Sequence, residues 1–236
     1  MSYIEIFTWE LLGTAALVLI GTGSVATVLL RGSLAYGGGG NWIIIVLGWG
    51  LGVFVGASIA SPTGGHINPI VTLALAVTGS AAWSELPIYV LGQLTGGIIG
   101  GILCWVVFKL QFDSSEDNSD TRRIFCTVPG ERKRFWNMIT EAIATFVLII
   151  WILADPPGNA ALGYGGVAAV VVAIGFGLGG PTGYAINPAR DLGPRIAYWL
   201  LPIRGKARPD WGYAWVPVLG PVLGASAAAL LYLVIA

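Results

Sequence analysis

The chain of 236 residues carries charge on only 10% of them, has zero net charge and a mean hydropathy of +0.79. A soluble domain averages about 25% charged residues, so this chain has too few to cover a water-facing surface, and its charge balance gives no sign of a nucleic-acid partner. The two cysteines, Cys104 in an apolar stretch and Cys126 in a polar one, lack metal-ligand spacing and predict neither a metal site nor a disulfide.

The chain opens MSYIEIFTWELLGT, with Glu5 and Glu10 but no Lys or Arg. A secretory signal peptide needs a basic start, so the first apolar stretch, roughly 4–30, predicts a retained membrane-spanning helix. Further spans are predicted at 42–60, 86–108, 135–154, 159–179 and 212–236. The second, third, fifth and sixth contain no charged residue. After the second span the chain reads PTGGHINP (62–69), and after the fifth it reads PTGYAINP (181–188), identical at six of eight positions. The stretch 109–135, KLQFDSSEDNSDTRRIFCTVPGERKRF, is the most polar of the chain and divides it. We read an all-α membrane domain over 1–236, made of pseudo-repeats 1–110 and 135–236 joined by a polar loop, 111–134. The first half opens ELLGTAALVLI from Glu10 and the second EAIATFVLIIW from Glu141. Three spans per half is an odd number, so the halves lie inverted in the bilayer. Inverted repeats usually place a substrate path at their interface, near the midplane.

The repeated segment reads as a helix start. Asn is a favoured N-cap, and Pro is favoured at the first helical position, where its missing N–H costs nothing. The run after Asn68 lasts about ten residues, or about 15 Å at 1.5 Å per residue. That is half the hydrocarbon core of about 30 Å. Each segment therefore predicts a re-entrant half-helix. The Gly- and Pro-rich loop ahead of it is tolerated at membrane depth only where it lines a watery cavity or is buried in protein. Two such loops in inverted halves predict a polar path lined by backbone carbonyls, with two positive helix ends meeting at its centre. Asn68 and Asn187 can each offer a side-chain N–H to a passing oxygen.

The twin Asn-Pro boxes, the paired Glu10 and Glu141, and the Arg190-Asp191 that follows resemble the aquaporin family of water and small-solute channels. The resemblance runs from Glu10 to about Gly224. The second box, NPARDLGPR, matches closely; the first reads Asn68-Pro69-Ile70 in place of Asn-Pro-Ala, which bears on half-helix packing and the pore's centre. The resemblance implies six helices plus two half-helices, a pore in every subunit, a homotetramer in the lipid bilayer, and passive flow without catalysis, cofactor or metal. It gives Glu10 and Glu141 the part of braces for the two loops, and Arg190 that of selectivity-filter arginine. The filter histidine of water-selective members has no counterpart in AAVVVAIGFGLGG (168–180); Gly175 takes its place, implying a wider constriction. His66, the one histidine, lies beside the first box and reads as a loop and pore-lining group.

Several positions resemble the glycerol-conducting branch, the aquaglyceroporins: Asp191, Arg195 four residues later, and Pro217-Val218 in the last span. Trp49 resembles that branch's filter Trp, and Tyr184 stands where it has Phe. Two aromatic faces opposite an arginine make a slot in which C–H groups slide along rings while hydroxyls bond the guanidinium. The implied solutes are glycerol and water, with urea and small neutral acids as alternatives of the same fold.

Every Lys and Arg lies on one predicted face, in loops 31–41, 109–135 and 195–211 or at their edge. The positive-inside rule would make that face cytoplasmic. The family instead places both termini in the cytoplasm and this face outside, and our expectation follows the family. A coupled secondary transporter would need titratable residues at the midplane, where this chain supplies asparagines. An ion channel is opposed by the two positive helix ends. No Ser/His, Cys/His or metal cluster supports a membrane enzyme.

Overall fold

In a computed structural model, residues 1–38, 41–154 and 162–236 are described. The elements are α1 (Tyr3–Leu29), α2 (Asn41–Ile59), α3 (Pro69–Val77), α4 (Leu86–Val107), α5 (Lys109–Ser114), α6 (Arg122–Phe125), α7 (Arg134–Ala154), α8 (Gly163–Leu178), α9 (Pro188–Leu200) and α10 (Val216–Ile235). Among the described residues there is no strand, only an isolated bridge between Asn118 and Lys206.

α1 begins at a capping box. Ser2 Oγ accepts from Glu5 N at 3.3 Å, and Glu5 Oε2 accepts from Ser2 N at 2.8 Å. This also explains why Glu5 is tolerated at the head of an apolar helix. α1, α2, α4, α7 and α10 are each long and apolar enough to cross a membrane. α8 has 16 residues, about 24 Å at helical rise. The start predicted for this fifth span, residue 159, lies outside the described residues. Large apolar side chains point outward: Ile43, Leu47, Leu51 and Phe54 follow one face of α2 and are all exposed. Such a face suits lipid rather than water.

Small residues let the helices close on one another. A Cβ on Gly100 would lie 2.6 Å from the Ala15 carbonyl oxygen, so α4 presses on α1. Gly56 of α2 faces the carbonyl of Gly13 in the same way, and Gly220 of α10 faces that of Met138 on α7. These close approaches are within the chain. The half-helices cross over: α3 packs on α10, and α9 packs on α4, where a Cβ on Gly97 would lie 2.5 Å from the Ala189 carbonyl. α3 has 9 residues and α9 has 13, so neither has the length of a full span.

The central loop is not simply a solvated linker. It forms α5 and α6, and its Phe112, Ile124 and Phe125 are buried. Phe125 packs on Tyr198 of α9, ring centroids 5.2 Å apart.

Candidate functional site

Two loops carrying the repeated segment meet inside the bundle. In the first, Gly64, Gly65 and Ile67 have φ of 88, 66 and 42°; in the second, Gly183, Tyr184 and Ile186 have 84, 38 and 44°. The two backbones follow one path, although Gly65 of one is Tyr184 of the other. Left-handed φ is open to glycine, whereas each strained non-glycine position costs about 1–3 kcal/mol. The loops must therefore be held from outside.

Two buried carboxylates hold them. Glu10 Oε1 accepts from Thr63 Oγ1 at 2.7 Å and His66 N at 3.1 Å, and its Oε2 accepts from Ile67 N and Gln93 Nε2, both at 2.7 Å. Glu141 accepts from Ala185 N at 3.0 Å and Ile186 N at 2.9 Å. A charged acceptor strengthens each of these bonds over a neutral one.

Each loop runs into a half-helix capped by its asparagine. Asn68 Oδ1 accepts from Ile70 N at 3.0 Å, and Asn187 Oδ1 accepts from Ala189 N at 2.9 Å and Arg190 N at 3.2 Å. With the oxygens committed, the amide nitrogens reach across. Asn68 Nδ2 donates to Ile186 O at 3.0 Å, and Asn187 Nδ2 donates to Ile67 O at 2.9 Å. A side-chain amide has two hydrogens, so each asparagine retains one beyond this cross-tie.

Both asparagines line a cavity of about 120 Å³. The carbonyls of Gly64, Gly65, Tyr184 and Ala185, on the same wall, accept no hydrogen bond among the described residues. His66 also lines this cavity. Its ring stacks on Tyr89 with centroids 4.4 Å apart, and its Nδ1 lies 3.1 Å from Thr72 Oγ1. Thr72 Oγ1 also lies 3.2 Å from Asn68 O, and the direction of its bond with Nδ1 follows the histidine tautomer.

A second cavity, of about 260 Å³, is walled partly by α2 and by Arg123 and Thr127. Trp49, Tyr184 and Arg190 line both cavities and so frame the junction between them. The Arg190 guanidinium lies 3.8 Å from the Trp49 ring centroid and 5.9 Å from that of Tyr184. One Nη2 hydrogen goes to Gly183 O at 3.2 Å. A guanidinium carries five N–H groups, and the others find no partner among the described residues.

Residues 2–232 match the sequence profile described as major intrinsic protein. The chain belongs to the major intrinsic protein family. This is the family that the twin boxes resembled. The chain is 45% identical over 228 residues to glycerol uptake facilitator protein 3 of Lactiplantibacillus plantarum, covering 94% of this chain and 93% of that one. It is 44% identical to the glycerol uptake facilitator protein of Bacillus subtilis over 229 residues, covering 96% and 83%. Its fold superposes on the aquaglyceroporin from Plasmodium falciparum with a TM-score of 0.86 and 27% identity, covering 98% and 96% of the two chains.

Other expected residues of this major intrinsic protein sit off the lumen wall. Gly175 lines neither cavity. A Cβ there would lie 3.0 Å from Tyr184 Cζ and 2.9 Å from a Val46 methyl. The Tyr184 ring thus stands against the room that the missing side chain leaves. The Tyr184 hydroxyl is itself shielded and has no partner among the described residues. Ile70 is likewise not a lining residue, because it packs in a core with Ile149 of α7 and Ala225 and Ala229 of α10. Asp191 and Arg195 are fully buried. Asp191 Oδ1 accepts from Arg195 Nη2 at 2.7 Å, and its Oδ2 accepts from Thr127 N and Oγ1, both at 2.7 Å. Arg195 Nη1 also donates to Pro209 O at 2.6 Å. The pair ties two loops to α9. Pro217 is buried in the first turn of α10 and Val218 is half-buried; neither reaches a cavity wall.

Three contributors escaped the sequence reading. Gln93 bridges Glu10 and Thr72, the second at 3.1 Å; a lone amide in an apolar span was the available signal. Tyr164 closes over Gly65, where a Cβ would lie 2.8 Å from its ring. Arg123 reaches the second cavity from the polar loop, where nothing distinguishes it from its charged neighbours.

Proposed function

We propose that this chain is a passive transmembrane channel for glycerol and similar small uncharged solutes, and for water, excluding ions and protons. The observation that carries the reading is the frame of Trp49, Tyr184 and Arg190 at the junction of two cavities. The aromatic surface that Trp49 and Tyr184 leave open beside the guanidinium accepts the C–H edge of a polyol, while the free guanidinium N–H groups bond its hydroxyls. Beyond the frame, the spare amide hydrogens of Asn68 and Asn187 and the unpartnered loop carbonyls continue the polar side of the path.

Ions are opposed twice. A cation would shed its hydration shell with no ring of opposite charge to replace it. It would also meet Arg190 and the positive ends of α3 and α9. The names of the relatives, glycerol uptake facilitators, agree with this assignment. No catalytic step and no cofactor belongs to it.

In this reading the channel is one domain of two inverted pseudo-repeats, 1–110 and 135–236, joined by 111–134. It assembles as a homotetramer in the bilayer with a lumen in every subunit. Both termini are cytoplasmic and the basic loops face outward. Protease added to intact cells tests that orientation: cleavage within 113–120 from outside fits it, and cleavage only from the cytoplasmic side reverses it.

Stopped-flow light scattering of proteoliposomes under a solute panel tests the function. Glycerol influx well above that of empty vesicles, non-saturating at moderate concentration, is the expected result. Glycerol permeability equal to that of empty vesicles refutes the reading, and uphill accumulation under a proton gradient replaces it with a coupled transporter.

A further inference from the structure

A third concavity, about 840 Å³, shares no lining residue with the two lumen cavities. Four cationic side chains reach its wall, Arg122, Arg132, Lys206 and Arg208, against one carboxylate, Asp210. Two of the four are committed. Arg132 pairs with Asp210. Lys206 Nζ donates to the carbonyls of Tyr198, Trp199 and Leu201 at 2.5, 2.9 and 2.5 Å, closing the C-terminal end of α9.

The other two cations are open. Arg122 gives one Nη1 hydrogen to the Arg208 carbonyl at 3.1 Å, which draws the two backbones together and sets both guanidiniums on one wall. Its Nε is shielded from solvent yet bonds nothing among the described residues. The Arg208 side chain forms no ion pair or hydrogen bond among the described residues. A concave wall with this excess of positive charge and unpaired guanidinium N–H groups is built for an oxyanion, and the planar fork of arginine matches phosphate.

Depth narrows the source. Trp199 and Trp211 stand on the same wall, edge to face with centroids 6.3 Å apart, and both are exposed. Tryptophan is enriched at headgroup level in membrane proteins, which is where lipid phosphates lie.

We propose that this concavity binds a phosphate-bearing anion, with Arg122 and Arg208 as its donors and the headgroup of an anionic phospholipid as the source nearest at hand. The site lies off the conduction path, so it does not rest on which solute the lumen passes.

The test uses the purified full-length protein in detergent. Phosphatidylglycerol or phosphatidylcholine is added and retention is read by native mass spectrometry; a third arm adds inorganic phosphate in competition. Phosphatidylglycerol is expected to be retained over phosphatidylcholine. Arg122→Gln with Arg208→Gln should lower its retention at least about tenfold, while Arg31→Gln, outside the concavity, leaves it unchanged. Should the double variant fail to elute as a folded species, Arg208→Gln alone carries the test, since its side chain has no partner to lose. Displacement by millimolar phosphate supports the site and names the free anion as a ligand; resistance to phosphate supports it and names the lipid. Equal retention of the two lipids, or phosphatidylglycerol retention unmoved by loss of Arg208, overturns the proposal.

Discussion

Asn68 donates its side-chain amide to the backbone carbonyl of Ile186 at 3.0 Å, across 118 residues of sequence. Its own oxygen meanwhile caps α3 by accepting from Ile70 N. One side chain thus fixes the start of one half-helix and the loop before the other. Asn187 does the same in reverse.

The two tasks separate in Asn68→Asp, which keeps the capping oxygen and loses the donor. The Ile186 carbonyl is then left without its partner, at a cost of about 1–3 kcal/mol. We expect a lower thermal midpoint and slower glycerol influx than wild type, read by calorimetry and stopped-flow on the same preparation. An unchanged midpoint would mean that the cross-tie contributes nothing.

Tyr184 offers a sharper separation of size from polarity. Its hydroxyl is buried without a partner, so Tyr184→Phe removes an uncompensated polar group and should stabilise the protein by about 1 kcal/mol. The ratio of glycerol to water permeability should stay within about twofold, because the ring face remains. Tyr184→Ala opens both the lumen and the space beside Gly175 and should shift that ratio. A large shift in the Phe variant would place the hydroxyl in contact with solute.

Asp191 is one of the positions that resemble the glycerol-conducting branch, and the geometry gives it a holding task. Asp191 and Arg195 form an ion pair with both side chains wholly buried. Breaking such a pair by removing one partner costs about 3–5 kcal/mol. Asp191→Asn should therefore reduce the yield of folded protein and its thermal midpoint, with the solute ratio of the surviving channels unchanged. A changed ratio at normal stability would return Asp191 to the selectivity machinery.

Cys126 tests the packing of the central loop. Burial pushes its thiol up to about 12, well above the ordinary range of about 8.5. The neutral thiol is thus the form present at pH 7 and at pH 9, and only the thiolate reacts. Maleimide labelling of the folded protein should stay negligible across that range and appear on denaturation. Ready labelling at pH 7 would show that this segment opens.

What the sequence disclosed follows from where its signals are local. An Asn-Pro pair announces a helix start by its own chemistry, and a carboxylate in an apolar run, as at Glu10 and Glu141, demands partners wherever they come from. That these carboxylates brace the two loops is what the family resemblance implied; that Ile67 N and Ile186 N are among their partners is visible only in the fold. Gly175 behaved otherwise. Whether an absent side chain leaves a gap depends on what a neighbouring element sends into it, and Tyr184 belongs to a loop with its own unusual φ. The half-helix position of Ile70 was legible, but not which side of α3 would face α7 and α10. The burial of Phe112, Ile124 and Phe125 was hidden because three apolar residues scattered among charges follow neither a helical nor a strand period.

The left-handed turns at Ile67 and Ile186 bear on how the protein comes to be made. A free peptide of either segment would relax to other conformers, since its own residues disfavour the native one. The conducting surface can take shape only after α1 and α7 have delivered their acid groups to the interior. The geometry of the passage is therefore set by the two long helices and not by the loops that line it.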